Sequence, residues 1–144
     1  MYRSTSLTLG AAAALLALPT LGAEQIKVVE RPTNETTVHI GAKADAPGDI
    51  LSFANPLFEA TNKMSVGADQ GFCIRTVVGK SWACNWTNQL KDGTITVNGT
   101  FNDAGDSTLS IVGGTGKYAG ARGTMLLHTR AGKPDSYDFT FDLT

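Results

Sequence analysis

The sequence predicts an all-β domain, an eight-stranded antiparallel up-and-down barrel with a small internal cavity. Three observations lead there. From Glu24 onward, no window holds a 3.6-residue apolar period long enough for a helix. Strand-like runs follow one another instead, separated by turn-forming residues. Within those runs apolar and polar residues alternate, so each strand has one dry and one wet face.

Residues 1–23 stand outside this domain. Arg3 supplies a positive start, residues 7–18 are Leu, Ala, Gly and Thr, and Pro19 and Gly22 break the run before Ala23. That is the pattern of a secretory signal peptide cut near Ala23. The run is too short to span a bilayer as a helix. The expected mature chain, 24–144, is one barrel domain, secreted or periplasmic.

The first strand, 25–31, places Ile26, Val28 and Glu30 on one face. Residues 36–40 read as a short ninth strand or as an extension of the first. After Pro47-Gly48, the run 49–57 turns Leu51, Phe53 and Asn55 inward. Runs 71–78 and 81–90 form a hairpin about Val78-Gly79, and that centre sets Cys73 opposite Cys84. Lys91-Asp92-Gly93 leads into 94–101, where Ile95, Val97, Gly99 and Phe101 oppose Thr94, Thr96, Asn98 and Thr100. Asp103-Ala104-Gly105-Asp106 precedes 107–112. Gly113-Gly114-Thr115-Gly116 reads as a tight turn with positive φ before 121–129. There Met125 and Leu127 face in, so Arg122 and His128 face out, and Arg122 becomes a surface or trimer-contact residue. Ala131-Gly132-Lys133-Pro134 precedes 136–143, where Tyr137, Phe139, Phe141 and Leu143 oppose Asp138, Thr140 and Asp142. Closure into a barrel removes exposed edges; a β-sandwich is the rival. Runs such as 107–112 are too short for a membrane barrel, so no membrane insertion of the mature chain is expected.

Composition narrows the function. At 42% hydrophobic and 17% charged, the chain is neither disordered nor a linker. Lys+Arg 12 against Asp+Glu 13 leaves net charge −1, without the basic excess of a nucleic-acid module. An exported chain with two cysteines favours a Cys73–Cys84 disulfide, with a chemically active cavity thiol as the alternative. His39 and His128 lack metal-ligand spacing, and no metal or cofactor is expected. Gly113-Gly114-Thr115-Gly116-Lys117 is not a phosphate loop, because Ile111 holds the first Gly position and Tyr118 follows the lysine. Trp82 and Trp86 share the face of the cysteines, as core packing or as a wall for ligand stacking. The sequons at Asn34, Asn85 and Asn98 matter only in a host that glycosylates.

Four stretches carry a resemblance: Gly48-Asp49-Ile50-Leu51-Ser52-Phe53-Ala54-Asn55-Pro56-Leu57-Phe58, Gly67-Ala68-Asp69-Gln70-Gly71-Phe72-Cys73, Asp92-Gly93-Thr94-Ile95-Thr96-Val97-Asn98-Gly99, and 111–123 with its Gly-Gly-Thr-Gly and Ala121-Arg122-Gly123. The chain resembles the allene oxide cyclase barrel-like group and its relatives the plant dirigent proteins, most of all their small exported bacterial members. The resemblance implies an eight-stranded barrel with an apolar cavity and, as in plant members, a trimer. Allene oxide cyclases close a reactive fatty-acid epoxide into a cyclopentenone, and dirigent proteins steer the coupling or cyclisation of phenolic intermediates.

By this resemblance Glu30, Asn55 and Cys73 match catalytic cavity residues of the cyclases, and Arg122 matches the dirigent Ala-Arg-Gly arginine. Asn55 also reads as a structural amide bonded to backbone, and Glu30 as a solvated strand end. Three positions depart from the patterns. Pro32 stands where the cyclases have Asn, Cys84 can cap Cys73, and Gly116 stands where pinoresinol-forming dirigents often carry Asp. Neither catalytic set is complete. The expected cavity lining is Phe53, Asn55, Trp82, Trp86, Val97, Phe101, Phe139 and Phe141. The reading is an exported barrel binding a small lipophilic or phenolic molecule without efficient catalysis. The alternatives are an isomerase or cyclase steering a reactive intermediate, or an oligomeric structural protein with a filled barrel.

Overall fold

The computed structural model describes residues 23–42, 44–132 and 135–144. The expected signal peptide, but for Ala23, lies outside the described residues, as do Lys133 and Pro134 of the last turn. Nine strands follow in chain order: β1 (Glu24–Glu30), β2 (Glu35–Val38), β3 (Ile50–Glu59), β4 (Ser65–Val77), β5 (Ser81–Leu90), β6 (Gly93–Asn102), β7 (Ser107–Gly114), β8 (Gly123–Arg130) and β9 (Ser136–Leu143). From β3 to β9 each strand pairs antiparallel with the next, and β1 closes the ring by pairing with both β9 and β3. The result is a closed eight-stranded barrel with β2 as one extra strand, so the sandwich is excluded.

The extra strand exists because β3 is shared. Its C-terminal end, Leu57–Glu59 by register, pairs with β1, while its first residues, from Ile50 to Phe53, pair with β2. Between the two partners the chain crosses from Glu30 to Glu35. Pro32 fits this crossing because it has no N–H needing a ladder partner.

Two glycine-rich places differ from the sequence expectation. β4 starts at Ser65, six residues before the expected 71. Gly67 and Gly71 suggest breaks, but here they permit close approach. A Cβ on Gly71 would sit 2.2 Å from the Trp86 Cβ and 2.4 Å from the Asn85 carbonyl oxygen, so the strand needs glycine to lie against β5. Gly113 and Gly114 are not a turn but the end of β7. The positive φ falls on Gly116, at 60°, which opens a single 3-10 turn, Gly116–Tyr118. Tyr118 is buried and plugs that end of the barrel.

Cys73 and Cys84 are direct partners in the β4–β5 register, with Cα atoms 4.0 Å apart, and form a disulfide. The ladder holds this register to Arg75 and slips by one residue only nearer the turn. Replacing both cysteines by alanine is expected to cost roughly 3 kcal/mol in chemical denaturation, the scale for a short closed loop. Mass mapping without reduction checks the bond; two freely alkylated thiols in the natively folded protein would contradict it.

Candidate functional site

The barrel is packed at one end and hollow at the other. At the end closed by Tyr118, Leu57, Ile95, Met125 and Phe141 have no solvent exposure. At the opposite end, where Glu30 of β1 faces Tyr137 of β9, lies a cavity of about 100 Å³. Its walls are aromatic: Phe53, Trp86, Phe101, Tyr137 and Phe139, with Leu51, Leu127 and the Cys73 side of the disulfide between them. Phe53 and Phe139 flank Trp86 with ring centroids 5.9 Å away, and Phe101 meets Tyr137 edge-on at 6.2 Å. Glu30 and Glu35 supply the carboxylate oxygens.

Of the residues expected to line the cavity, Phe53, Trp86, Phe101 and Phe139 do so. Val97 and Phe141 lie in the fully packed interior instead. Trp82 lies under the Arg75 guanidinium at 3.8 Å, and its indole N–H donates to Asp103 Oδ1 at 3.0 Å. Arg75 is itself buried and is held by Asp45 at 2.5 Å and Asp103 at 2.7 Å. Arg122 is exposed and donates to the carbonyls of Val112 and Ala121, so it is remote from the cavity. Cys73 carries no free thiol.

Asn55 does not line the cavity; it stands behind Glu30, and its amide is fully used. Its Oδ1 accepts the backbone N–H of Thr33 at 3.0 Å and of Asn34 at 2.9 Å. Its Nδ2 donates to Glu30 Oε1 at 2.6 Å and to Glu35 Oε1 at 3.5 Å. That exhausts the donors and acceptors of a side-chain amide. Asn55 therefore fastens the β1–β2 crossing to β3 and aims both carboxyl groups.

Behind Glu30 lies a residue the sequence reading passed over. Asp69 is 1% exposed and Glu30 5%. Asp69 Oδ1 accepts the Asn55 backbone N–H at 3.2 Å. Among the described residues its Oδ2 has no hydrogen-bond partner, and Asn55 bonds both carboxyls, Asp69 through its backbone N–H and Glu30 through its side-chain amide. Burial pushes Glu30 well above the usual carboxylate range, and the Asp69 charge adds to it. Burial also raises Asp69 to about 7, against the pull of the Asn55 N–H and the Glu30 hydrogen bond. Both carboxyls therefore hold protons more tightly than ordinary surface carboxylates. Asp69 was legible in principle, since its parity with Cys73 puts both inside the barrel, but only once β4 is extended back through Gly71 and Gly67.

The family comparison accords with this geometry. No curated protein matches the sequence. Solved structures share the fold: a pyocyanin demethylase (24% identity, 84% of this chain and 100% of that one, TM-score 0.71), a pterocarpan synthase dirigent protein (15%, 88% and 96%, 0.70), and an exo-specific intermolecular Diels-Alderase (12%, 85% and 98%, 0.63). At these identities the likeness speaks for the fold alone. The model of the dirigent-like protein family matches residues 20–143, nearly the whole barrel, and the chain therefore belongs to the dirigent-like protein family.

Proposed function

We propose that the barrel binds one small, flat, apolar or phenolic molecule in its hollow end, without efficient covalent chemistry of its own. The observation that carries this reading is the half-filled barrel, with aromatic rings as walls and carboxyl oxygens at one corner. Pockets of this kind, mostly apolar with a few fixed polar groups, are where small ligands bind. The solved structures of the same fold carry names of proteins that act on pyocyanin, form pterocarpans or perform Diels–Alder additions. The disulfide fits an oxidising compartment, so export and release of a mature chain belong to the proposal, as does assembly into a homo-oligomer.

Calorimetric titration with 2-naphthol tests the binding. Saturable binding is expected, and Leu127→Trp, which fills the cavity, should abolish it while a cooperative thermal transition persists. Heats at dilution level in the wild-type protein would end the reading.

One observation favours a second reading. Glu30 lines the cavity and its affinity for a proton is raised by burial, so it can donate a proton to a developing oxyanion and recover it from water after the step. Such a barrel would act as an isomerase or cyclase, chiefly by restraining its substrate and excluding water. Efficient allene oxide cyclase activity is nevertheless not expected. Pro32 offers no amide, Asn55 is spent on the β1–β2 crossing, and Cys73 is bonded to Cys84. With an allene oxide generated in situ, the cyclopentenone should form with no enantiomeric excess above the protein-free control. An enantiopure product at catalytic protein concentration would instead make the cyclase reading primary.

A further inference from the structure

We infer that the hollow end of the barrel selects a cationic, flat heteroaromatic ligand over neutral and anionic molecules of the same shape. This rests on the cavity-binding reading and names the ligand class for that site.

Three observations carry it. First, charged groups on the cavity lining are of one sign only. Glu30 and Glu35 line it, and among the described residues no Lys, Arg or His does. The buried cation among the described residues, Arg75, is already held by Asp45 and Asp103. Arg31, next in sequence to Glu30, points away, its guanidinium on Asn62 and 3.8 Å over the Phe58 ring. Second, the walls are aromatic rings, a lining whose π-systems can attract a cation and stack on a flat one. Third, an anion entering here would lose hydration with no positive partner to replace it, beside carboxylates of its own sign. A neutral ligand would gain the apolar contact but not the charge.

Proton occupancy gives the same sign. Facing the Glu30–Asp69 pair are Glu35 from β2 and the Tyr137 hydroxyl from β9, with no cation among them. As pH rises through neutrality the pair loses its proton and the corner becomes more negative. Cation affinity should therefore grow with pH, while that of a neutral analogue should not.

The experiment uses the folded, disulfide-bonded protein and three probes of matched outline: N-methylquinolinium, 1-methylnaphthalene and 1-naphthoate, with affinities read by calorimetry or by tryptophan fluorescence. N-methylquinolinium is expected to bind about tenfold tighter than 1-methylnaphthalene, the upper part of the cation–π range, and 1-naphthoate weakest. Its affinity should rise from pH 6 to pH 8. Glu35→Gln, at the exposed mouth, should weaken the cation severalfold and leave the neutral probe unchanged. Neutral binding equal to or tighter than cationic binding overturns the inference and leaves the cavity-binding reading standing. So does an equal loss for both probes in Glu35→Gln. Failure of all three probes to bind overturns both.

Discussion

Asn55→Leu is expected to lower folding stability by about 4 kcal/mol, although leucine suits the interior of a barrel. The residue is 1% exposed and carries four hydrogen bonds. Leucine leaves the N–H groups of Thr33 and Asn34 without their acceptor and takes a donor from the buried Glu30. Each orphaned buried group costs about 1–3 kcal/mol. The damage concentrates at the β1–β2 crossing, where β3 changes partner and no ladder bond can substitute. An outward change such as Thr108→Ala should stay within about 0.5 kcal/mol. Asn55→Asp separates the two functions of the amide. It keeps an acceptor for both N–H groups but sets a third carboxyl against Glu30 and Asp69, so its rescue should appear at acid pH and fade towards neutrality. Urea midpoints for the three variants check this. An Asn55→Leu protein within about 1 kcal/mol of wild type would mean that the crossing is held by something else.

The barrel was legible because alternation is a strong signal in strands with one buried face. In β6 and β9, Ile95, Val97, Phe139 and Phe141 announce the inside without help. The disulfide was legible for a related reason: a hairpin centre sets the register, and the register sets Cys73 against Cys84. The lower stretch of β4 was hidden because glycine has no side chain to reveal its face. Gly67 and Gly71 look like breaks whether the chain turns or two backbones pack closely. Asp69 disappeared with them, and with it the buried carboxyl whose charge adds to the effect of burial on Glu30. Val97 and Phe141 show a further limit. Alternation says that a residue is inside, but not how far along the barrel axis it sits, and only one end is hollow. Asn55 was found as an interior amide, but two of its four partners come from the irregular crossing at Thr33 and Asn34, whose path no period encodes.

The wild-type protein should be less stable at pH 8 than at pH 5, and Asp69→Asn should reduce that difference by the share that Asp69 contributes. Asp69 and Glu30 are acids whose affinity for protons is higher folded than unfolded. Between the unfolded carboxylate range near pH 4 and the folded value of about 7 for Asp69, the native state binds more protons than the unfolded chain. Stability therefore falls as pH rises through that window. A shift from 3.8 to about 7 corresponds to a loss of roughly 4 kcal/mol across the whole window, of which roughly 3 falls between pH 5 and pH 8. Asp49 and Glu59 act in the opposite sense. Hydrogen bonds hold each at about 2: backbone N–H of Ala46, then His39, for Asp49, and the Thr61 hydroxyl, then the Lys63 N–H, for Glu59. Their contribution is present above the unfolded range and is lost as pH falls below it. The stability maximum should then lie near pH 5. In Asp69→Asn the amide oxygen still accepts the Asn55 N–H and the Asp69 charge that raises Glu30 is gone, while the burial that is the larger cause remains. At pH 8 this variant should be more stable than wild type by about 2 kcal/mol, and at pH 5 close to it or slightly less stable. Urea unfolding of both proteins from pH 4.5 to pH 8.5 decides the matter. Parallel profiles would show that the buried pair does not carry the proton assigned to it, and would remove the acid on which the cyclase reading depends.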